Sequence, residues 1–235
     1  QEGADYELES AQINAELCGE FGFPVMGIQC FQAGGLGTFP KPIHERVSSP
    51  DGSSHLRMDL IDALKEQPPP EGAPTHDELC ERTLNIFRET IPVAENAVIK
   101  LAMHGNDPPV PALYGVPQIL YNFAAFERLF SEVDSPANCM TFCVGTRYES
   151  AADIFEGIRR FGHKIVHVHF RNVHGTIPAN EGYEEVFPDR GDLDMYQVVR
   201  ALQPARQVAA PAQREPRADG REPQRHELQH GALVV

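Results

Sequence analysis

The chain has 235 residues, 41% apolar and 23% charged, which is enough for one sizeable globular core. No stretch nears the about 18 uninterrupted apolar residues of a membrane crossing, so a membrane span is excluded. The net charge of −14 offers phosphate no electrostatic footprint, which argues against a general nucleic-acid or anionic-membrane binder.

Five cysteines, Cys18, Cys30, Cys80, Cys139 and Cys143, form neither a zinc-ribbon spacing nor an even disulfide set. No signal-peptide pattern precedes them, so a reducing cytoplasm is the expected setting. The first residue is Gln1 rather than Met, which reads as a processed chain or a fragment.

Along the chain, Tyr6 to Phe21 reads as a helix and Phe23 to Phe31 (FPVMGIQCF) as a buried strand. Gln32 to His55 is rich in Gly, Pro and Ser and is expected to be a long active-site loop or a partly mobile segment. A second loop, Pro68 to Pro74, leads to Thr75, which forms a capping box with Glu78 and opens a helix to about Asn96. Val98 to His104 is then a strand, Asn122 to Val133 a helix, Met140 to Gly145 a strand, Ser150 to Phe161 a helix, Lys164 to Asn172 a strand and Asp192 to Leu202 a helix. Strand, loop and helix repeating in this way indicate an α/β fold, either an open doubly wound sheet or a (β/α) TIM-type barrel. The barrel is preferred, because the chemically interesting side chains fall at the ends of several strands. No GxGxxG follows a strand, which disfavours a dinucleotide site.

After Leu202 the composition changes. Pro204 to Gln229 lacks Phe, Tyr, Ile and Met and cannot bury enough apolar surface to offset its ordering entropy, so residues 203–235 are expected to be a disordered tail behind a catalytic domain of residues 1–202. A regulatory tail and a translated wrong reading frame are the other readings of that composition. About 202 foldable residues fall short of the roughly 250 of a complete barrel, so the barrel is expected to be incomplete at both ends.

Three strand ends carry the chemistry. His104 closes one strand ahead of Gly105, Asn106, Asp107, Pro108 and Pro109, Cys143 lies near the end of the next, and His169 near the end of the one after. Imidazole, thiolate and imidazole at one barrel rim suit a divalent transition metal. His167 shares a face with His169, and His169, nearer the tip, is the better placed. Taken singly, each of these is a common core residue; the constellation is the signal.

The segments LAMHGNDPPVPALYGVPQIL, SPANCMTFCVGT, HVHFRNVHGTIP and GDLDM resemble the mannonate dehydratases, metal-dependent barrel enzymes related in fold to xylose isomerase. The resemblance spans roughly Met58 to Leu202. It implies that His104, Cys143 and His169 are metal ligands, that manganese or ferrous iron is the metal with zinc not excluded, and that D-mannonate is dehydrated to 2-keto-3-deoxy-D-gluconate. Arg171 and Asn172 are then placed to contact the sugar acid, Arg171 through bidentate pairing with its carboxylate. Asp107 would bind a hydroxyl or orient His104.

The chain departs from the family pattern in three places. The family's HPDDPP is His104 to Pro109 with Asn106 for an acid, a family histidine before the GD-DM motif is replaced by Glu184, and the family's Asp-His motif, which holds a fourth ligand and a catalytic histidine, is not found. The catalytic acid/base group is therefore unassigned. Asp194, a nominal substitute ligand, sits where an acidic residue ordinarily begins a helix. Another metal-dependent sugar or sugar-acid isomerase or epimerase and a truncated non-catalytic relative are the alternative readings. The expected partner is a small sugar acid, without nucleic acid or membrane, and homo-oligomerisation is left open.

Overall fold

The computed structural model of the chain describes residues 2–29 and 42–208. The elements in chain order are α1 (Glu2–Phe21), β1 (Val25–Gln29), β2 (His44–Ser48), β3 (Ser54–Asp59), α2 (His76–Asn96), β4 (Lys100–His104), β5 (Ala112–Leu113), β6 (Val116–Pro117), α3 (Phe123–Glu132), β7 (Asn138–Cys143), α4 (Val144–Glu149), α5 (Ile154–Phe161), β8 (Ile165–His169), β9 (Asn172–His174), α6 (Ile177–Asn180), β10 (Gly182–Val186) and α7 (Met195–Val208). Four strands form an all-parallel sheet in the order β1, β4, β7, β8. This is the arc of a β/α barrel, with helical crossovers between successive strands.

Side-chain alternation along the strands divides the sheet's two faces. Leu101, Met103, Met140, Phe142 and Val168 point outward into a core completed by Leu84, Phe87 and Ile91 of α2, Phe126 and Phe130 of α3, Ile158 and Phe161 of α5 and Val198 of α7. Burying each such side chain is worth about 1.5–3 kcal/mol, so this helix layer is what holds the arc together. The opposite face receives the alternate residues, including His104, Thr141 and Cys143. The periodicity that fills the core thus aims the chemical residues at the barrel interior.

Local side-chain caps set several helix boundaries, the expected capping box among them. Thr75 accepts from the Glu78 backbone N–H while the Glu78 carboxylate accepts from the Thr75 N–H, a complete capping box for α2. Asn122 caps α3 by accepting from Ala125 N, and Asp153 caps α5 by accepting from Phe155 N and Glu156 N. Asp194 accepts from Tyr196 N and Gln197 N at the start of α7, the helix-start role expected for it.

Four expectations are corrected. The stretch from Gln32 to His55 is not all loop: residues 42–55 include β2 and the start of β3, which join β10 and β9 in an antiparallel sheet of order β2, β3, β10, β9. The strand expected from Val98 starts at Lys100, because Val98 takes a left-handed φ of 58°. Chain 140–145 is strand only to Cys143, and Gly145 lies in the short helix α4, so the helix expected from Ser150 begins at Ile154. The strand expected over Lys164 to Asn172 is two strands in two sheets, β8 and β9, parted at Phe170 and Arg171.

The antiparallel sheet has its own small core of Ile43, Met58, Leu60, Val173, Ile177 and Tyr183, joined by Val110, Leu113 and Tyr114 from the segment after β4. This core ties the antiparallel sheet to the loop that leaves His104. Helix α7 continues past Leu202 to Val208, so the first residues of the tail expected at residues 203–235 are helical; residues 209–235 lie outside the described residues, as do Cys30 and the start of the Gly-rich stretch. Cys18, Cys80, Cys139 and Cys143 are free thiols. Among the described residues no helix is long and apolar enough to cross a membrane.

Candidate metal centre

His104 is the last residue of β4, Cys143 the last of β7 and His169 the last of β8. Cys143 is paired across the ladder with His169, so two of the three stand side by side. The candidate ligand atoms of all three lie within 4.8 Å of one another, and they are the one such group of His, Cys, Asp or Glu that could hold a metal among the described residues. The His104 and His169 rings are 4.9 Å apart between centroids. Cys143 and His104 are buried, at 4% and 8% exposure, and His169 is exposed.

The electrostatics suit a cation. Burial pushes the Cys143 thiol up, but hydrogen bonds from His104 and His169 and the charge of Arg171 more than reverse this and hold it well below the usual thiol value. Burial likewise pushes the His104 imidazole down, and its interactions with Cys143 outweigh that and hold it up. His104 Nδ1 lies 2.6 Å from the Gly105 carbonyl. A carbonyl only accepts, so Nδ1 carries a proton, and Nε2 is the nitrogen that would serve a cation as lone-pair donor once its own proton is lost. Two imidazoles and a thiolate are borderline-soft donors that match a divalent transition metal rather than calcium or magnesium.

His167 lies one layer below. Its ring is edge-on to His169 at 5.2 Å, it pairs in register with Thr141, and it is not part of the three-ligand group.

The remaining sequence-selected residues surround the group. Asp107 meets Arg171 Nη2 at 3.0 Å and the Thr146 hydroxyl at 2.9 Å through Oδ2, and accepts from the Tyr183 hydroxyl at 2.7 Å through Oδ1. Burial raises its pKa, and Arg171, Tyr183 and Thr146 reverse the effect and hold the carboxyl below its ordinary value. No hydrogen bond joins it to His104; the two interact through charge. Arg171 pairs with Asp107, Glu149 and Glu185, which outweigh its burial and raise its pKa further. Its fork is thus already taken by protein carboxylates.

Asn172 is wholly buried, and its amide is spent on the backbone: Nδ2 donates to Pro188 O and Leu193 O, and Oδ1 accepts from Val173 N and Leu193 N. In this structure it anchors the segment after β10 instead of presenting a free donor at the rim. The neutral Asn106 has a comparable job, its Oδ1 accepting from Ile119 N and Leu120 N. Glu184 pairs with Arg57 and lies 3.3 Å from His55 Nε2.

Four participants were not singled out from the sequence: Thr146, Glu149, Tyr183 and Glu185. Thr146 and Glu149 lie in α4, the helix that the strand expectation overran, and Tyr183 and Glu185 in β10 of the antiparallel sheet. The one legible hint was a polar pair, Thr146 and Glu149, close behind Cys143.

A family model described as D-mannonate dehydratase (UxuA) matches residues 62–209. Similar curated proteins include the mannonate dehydratase of Enterococcus faecalis, 38% identical over 130 residues covering 54% of this chain and 36% of that one. The mannonate dehydratase of Thermotoga neapolitana is 32% identical over 175 residues, 71% of this chain and 48% of that one. The chain therefore spans half or less of the length of these relatives. Among solved structures, mannonate dehydratase from Streptococcus suis serotype 2 superposes with a TM-score of 0.72 at 26% identity, covering 87% of this chain and 59% of that chain. A xylose isomerase domain protein from Planctomyces limnophilus, at 13% identity and a TM-score of 0.51, shares the barrel fold. With a family match over well more than half of its 235 residues, the chain belongs to the D-mannonate dehydratase (UxuA) family.

Proposed function

We propose that the chain forms the metal-binding part of an enzyme that dehydrates D-mannonate to 2-keto-3-deoxy-D-gluconate. The observation that carries this reading is the convergence of His104, Cys143 and His169 within 4.8 Å at three parallel strand ends of a chain belonging to this family. His104, Cys143 and His169 would hold the metal, manganese or ferrous iron in the family reading, and these donors would accommodate zinc as well. A divalent cation bound there supplies Lewis-acid stabilisation of the charge that builds on the sugar acid's carboxylate and C2 oxygen as the C2 proton is lost.

The chain's own residues supply the polar surround. The C2 proton must pass to a base and the C3 hydroxyl must leave as water; no described residue is assigned to either transfer. Asp107, Arg171 and Asn172 are assigned to the substrate site in graded ways. Asp107 lies in the loop that leaves β4, is held ionised by its neighbours, and would accept from a substrate hydroxyl. Arg171 would attract the anionic substrate, and the partner it can exchange most easily is Glu185, whose side chain is 30% exposed against none for Glu149. Asn172 keeps the segment from Pro188 to Leu193 in place behind Arg171.

The test is incubation of the metal-loaded chain with D-mannonate, scored by keto-acid formation. Keto acid from the wild-type chain, and none from a His104→Ala, Cys143→Ala double variant, is the expected result. Turnover of free aldoses without aldonates would replace this reading by an isomerase or epimerase. A folded, metal-loaded chain inert towards both would mark it as a non-catalytic relative.

A further inference from the structure

Each of the three candidate ligands is followed closely in sequence by a residue that turns to one common point. Asp107 follows His104 by three positions, Thr146 follows Cys143 by three, and Arg171 follows His169 by two. The side chains of these three followers are bonded in a closed triangle: Arg171 Nη2 donates to Asp107 Oδ2 at 3.0 Å and to Thr146 Oγ1 at 2.9 Å, and the Thr146 hydroxyl donates to Asp107 Oδ2 at 2.9 Å. Thr146 is completely buried.

A fourth group closes the remaining oxygen. The Tyr183 hydroxyl, 3% exposed and carried by the antiparallel sheet, donates to Asp107 Oδ1 at 2.7 Å. The arrangement needs room for the Arg171 stem, and Gly145 provides it, since a Cβ there would stand 2.5 Å from Arg171 Nε. A triangle of hydrogen bonds therefore ties together the three chain segments that leave the ligand-bearing strands.

We propose that Thr146 and Tyr183 are positioning residues for the centre formed by His104, Cys143 and His169, fixing the spacing of the three strand ends through Asp107 and Arg171. The proposal rests on the reading of those three residues as a metal site. Its physical basis is that an ion's affinity depends on ligands held in place before it arrives, and that hydrogen bonds in a buried, low-dielectric cluster are stiff and mutually reinforcing. Removing one hydroxyl slackens the triangle while every ligand atom remains.

Cobalt(II) is the probe, because a thiolate and imidazoles bound to it give absorption bands sensitive to ligand geometry. The full chain and the variants Thr146→Val, Thr146→Ser, Tyr183→Phe and Ile158→Val would be loaded with cobalt and titrated against a chelator. Thr146→Val and Tyr183→Phe should weaken cobalt binding by about 10- to 100-fold and shift the bands. Thr146→Ser, which restores the hydroxyl, should return both towards wild type. Ile158→Val trims a buried side chain of the helix-side core and should lower the unfolding midpoint with bands and affinity unchanged. If Thr146→Val and Tyr183→Phe lower the midpoint alone, as Ile158→Val does, the positioning role is overturned and the metal site stands. If the wild-type chain itself takes up no cobalt, the metal site is wrong and the proposal falls with it. Should Thr146→Val fail to fold, Tyr183→Phe, which deletes a single oxygen, decides the question.

Discussion

Glu149 Oε1 accepts from Arg171 Nη2 at 2.5 Å, at a point where the Glu149 side chain has no exposure to solvent. The same guanidinium nitrogen also serves Asp107 and Thr146, so three acceptors share its two N–H groups. The pKa values of the two carboxylates move apart. Burial and the neighbouring Asp107 charge push Glu149 well up against the attraction of Arg171, and its second oxygen has no hydrogen-bond partner. Asp107, with three donors, is held down. Glu149 therefore holds its proton more tightly than Asp107 does.

Stability should respond to pH in two windows. Asp107 has a depressed folded-state pKa, so its contribution is complete above the unfolded value of about 3.9 and is lost as pH falls through the lower folded value. Glu149 has a raised one, so stability is lost as pH climbs from about 4.3 through the folded value. Glu149→Gln should accordingly gain on wild type between pH 4 and pH 8. Urea midpoints at the two pH values check this, and a constant difference between the proteins would refute it.

Arg171→Met should be strongly destabilising, by about 3–5 kcal/mol, because it strands buried carboxylates without their cation. Adding Glu149→Gln to Arg171→Met should recover part of that loss, whereas additive effects would show that the two side chains are not coupled. A double-mutant cycle in urea measures it.

Loss of a direct ligand should be more damaging than loss of a positioning group. Cys143→Ala is expected to lower metal affinity by more than the about 10- to 100-fold typical of an outer partner, with His104→Ala behaving alike. Retained metal, counted by elemental analysis after gel filtration, provides the readout, and equal retention by variant and wild type would exclude these two residues as ligands.

Gly157 in α5 packs its backbone against the Phe123 ring, which a Cβ would overlap. Gly157→Ala would gain roughly 0.5–1 kcal/mol in helix formation, but overpacking typically costs about 1–3 kcal/mol. Phe123 is held between Phe142 and Phe161 at centroid distances of 6.4 and 5.4 Å and has little room to yield. Net destabilisation is expected in thermal melts; a raised melting temperature would mean that the ring gives way.

Thr75→Ala removes the side-chain half of the α2 capping box and should lower stability by about 1 kcal/mol. Thr75→Ser, which keeps the acceptor oxygen, should lose far less in the same denaturation series.

The sequence by itself determined what depends on neighbours along the chain. The capping box at Thr75 and Glu78, the alternating strands that send Met103 and Phe142 to the helices and His104 and Cys143 to the interior, and the three candidate ligands at successive strand ends are all local or periodic patterns. The tertiary structure alone decided the rest. β2 and the start of β3 lie in the stretch read as loop, and β10 is not marked as a strand, because an antiparallel sheet with one open face lacks a continuous apolar run. The break between β8 and β9 at Arg171 arises because the chain changes sheets there, which no residue pattern announces. Tyr183, Glu149 and Glu185 meet Asp107 and Arg171 across long separations in sequence, and a hydrogen-bonded cluster of that kind exists only once the fold has carried its members to one point.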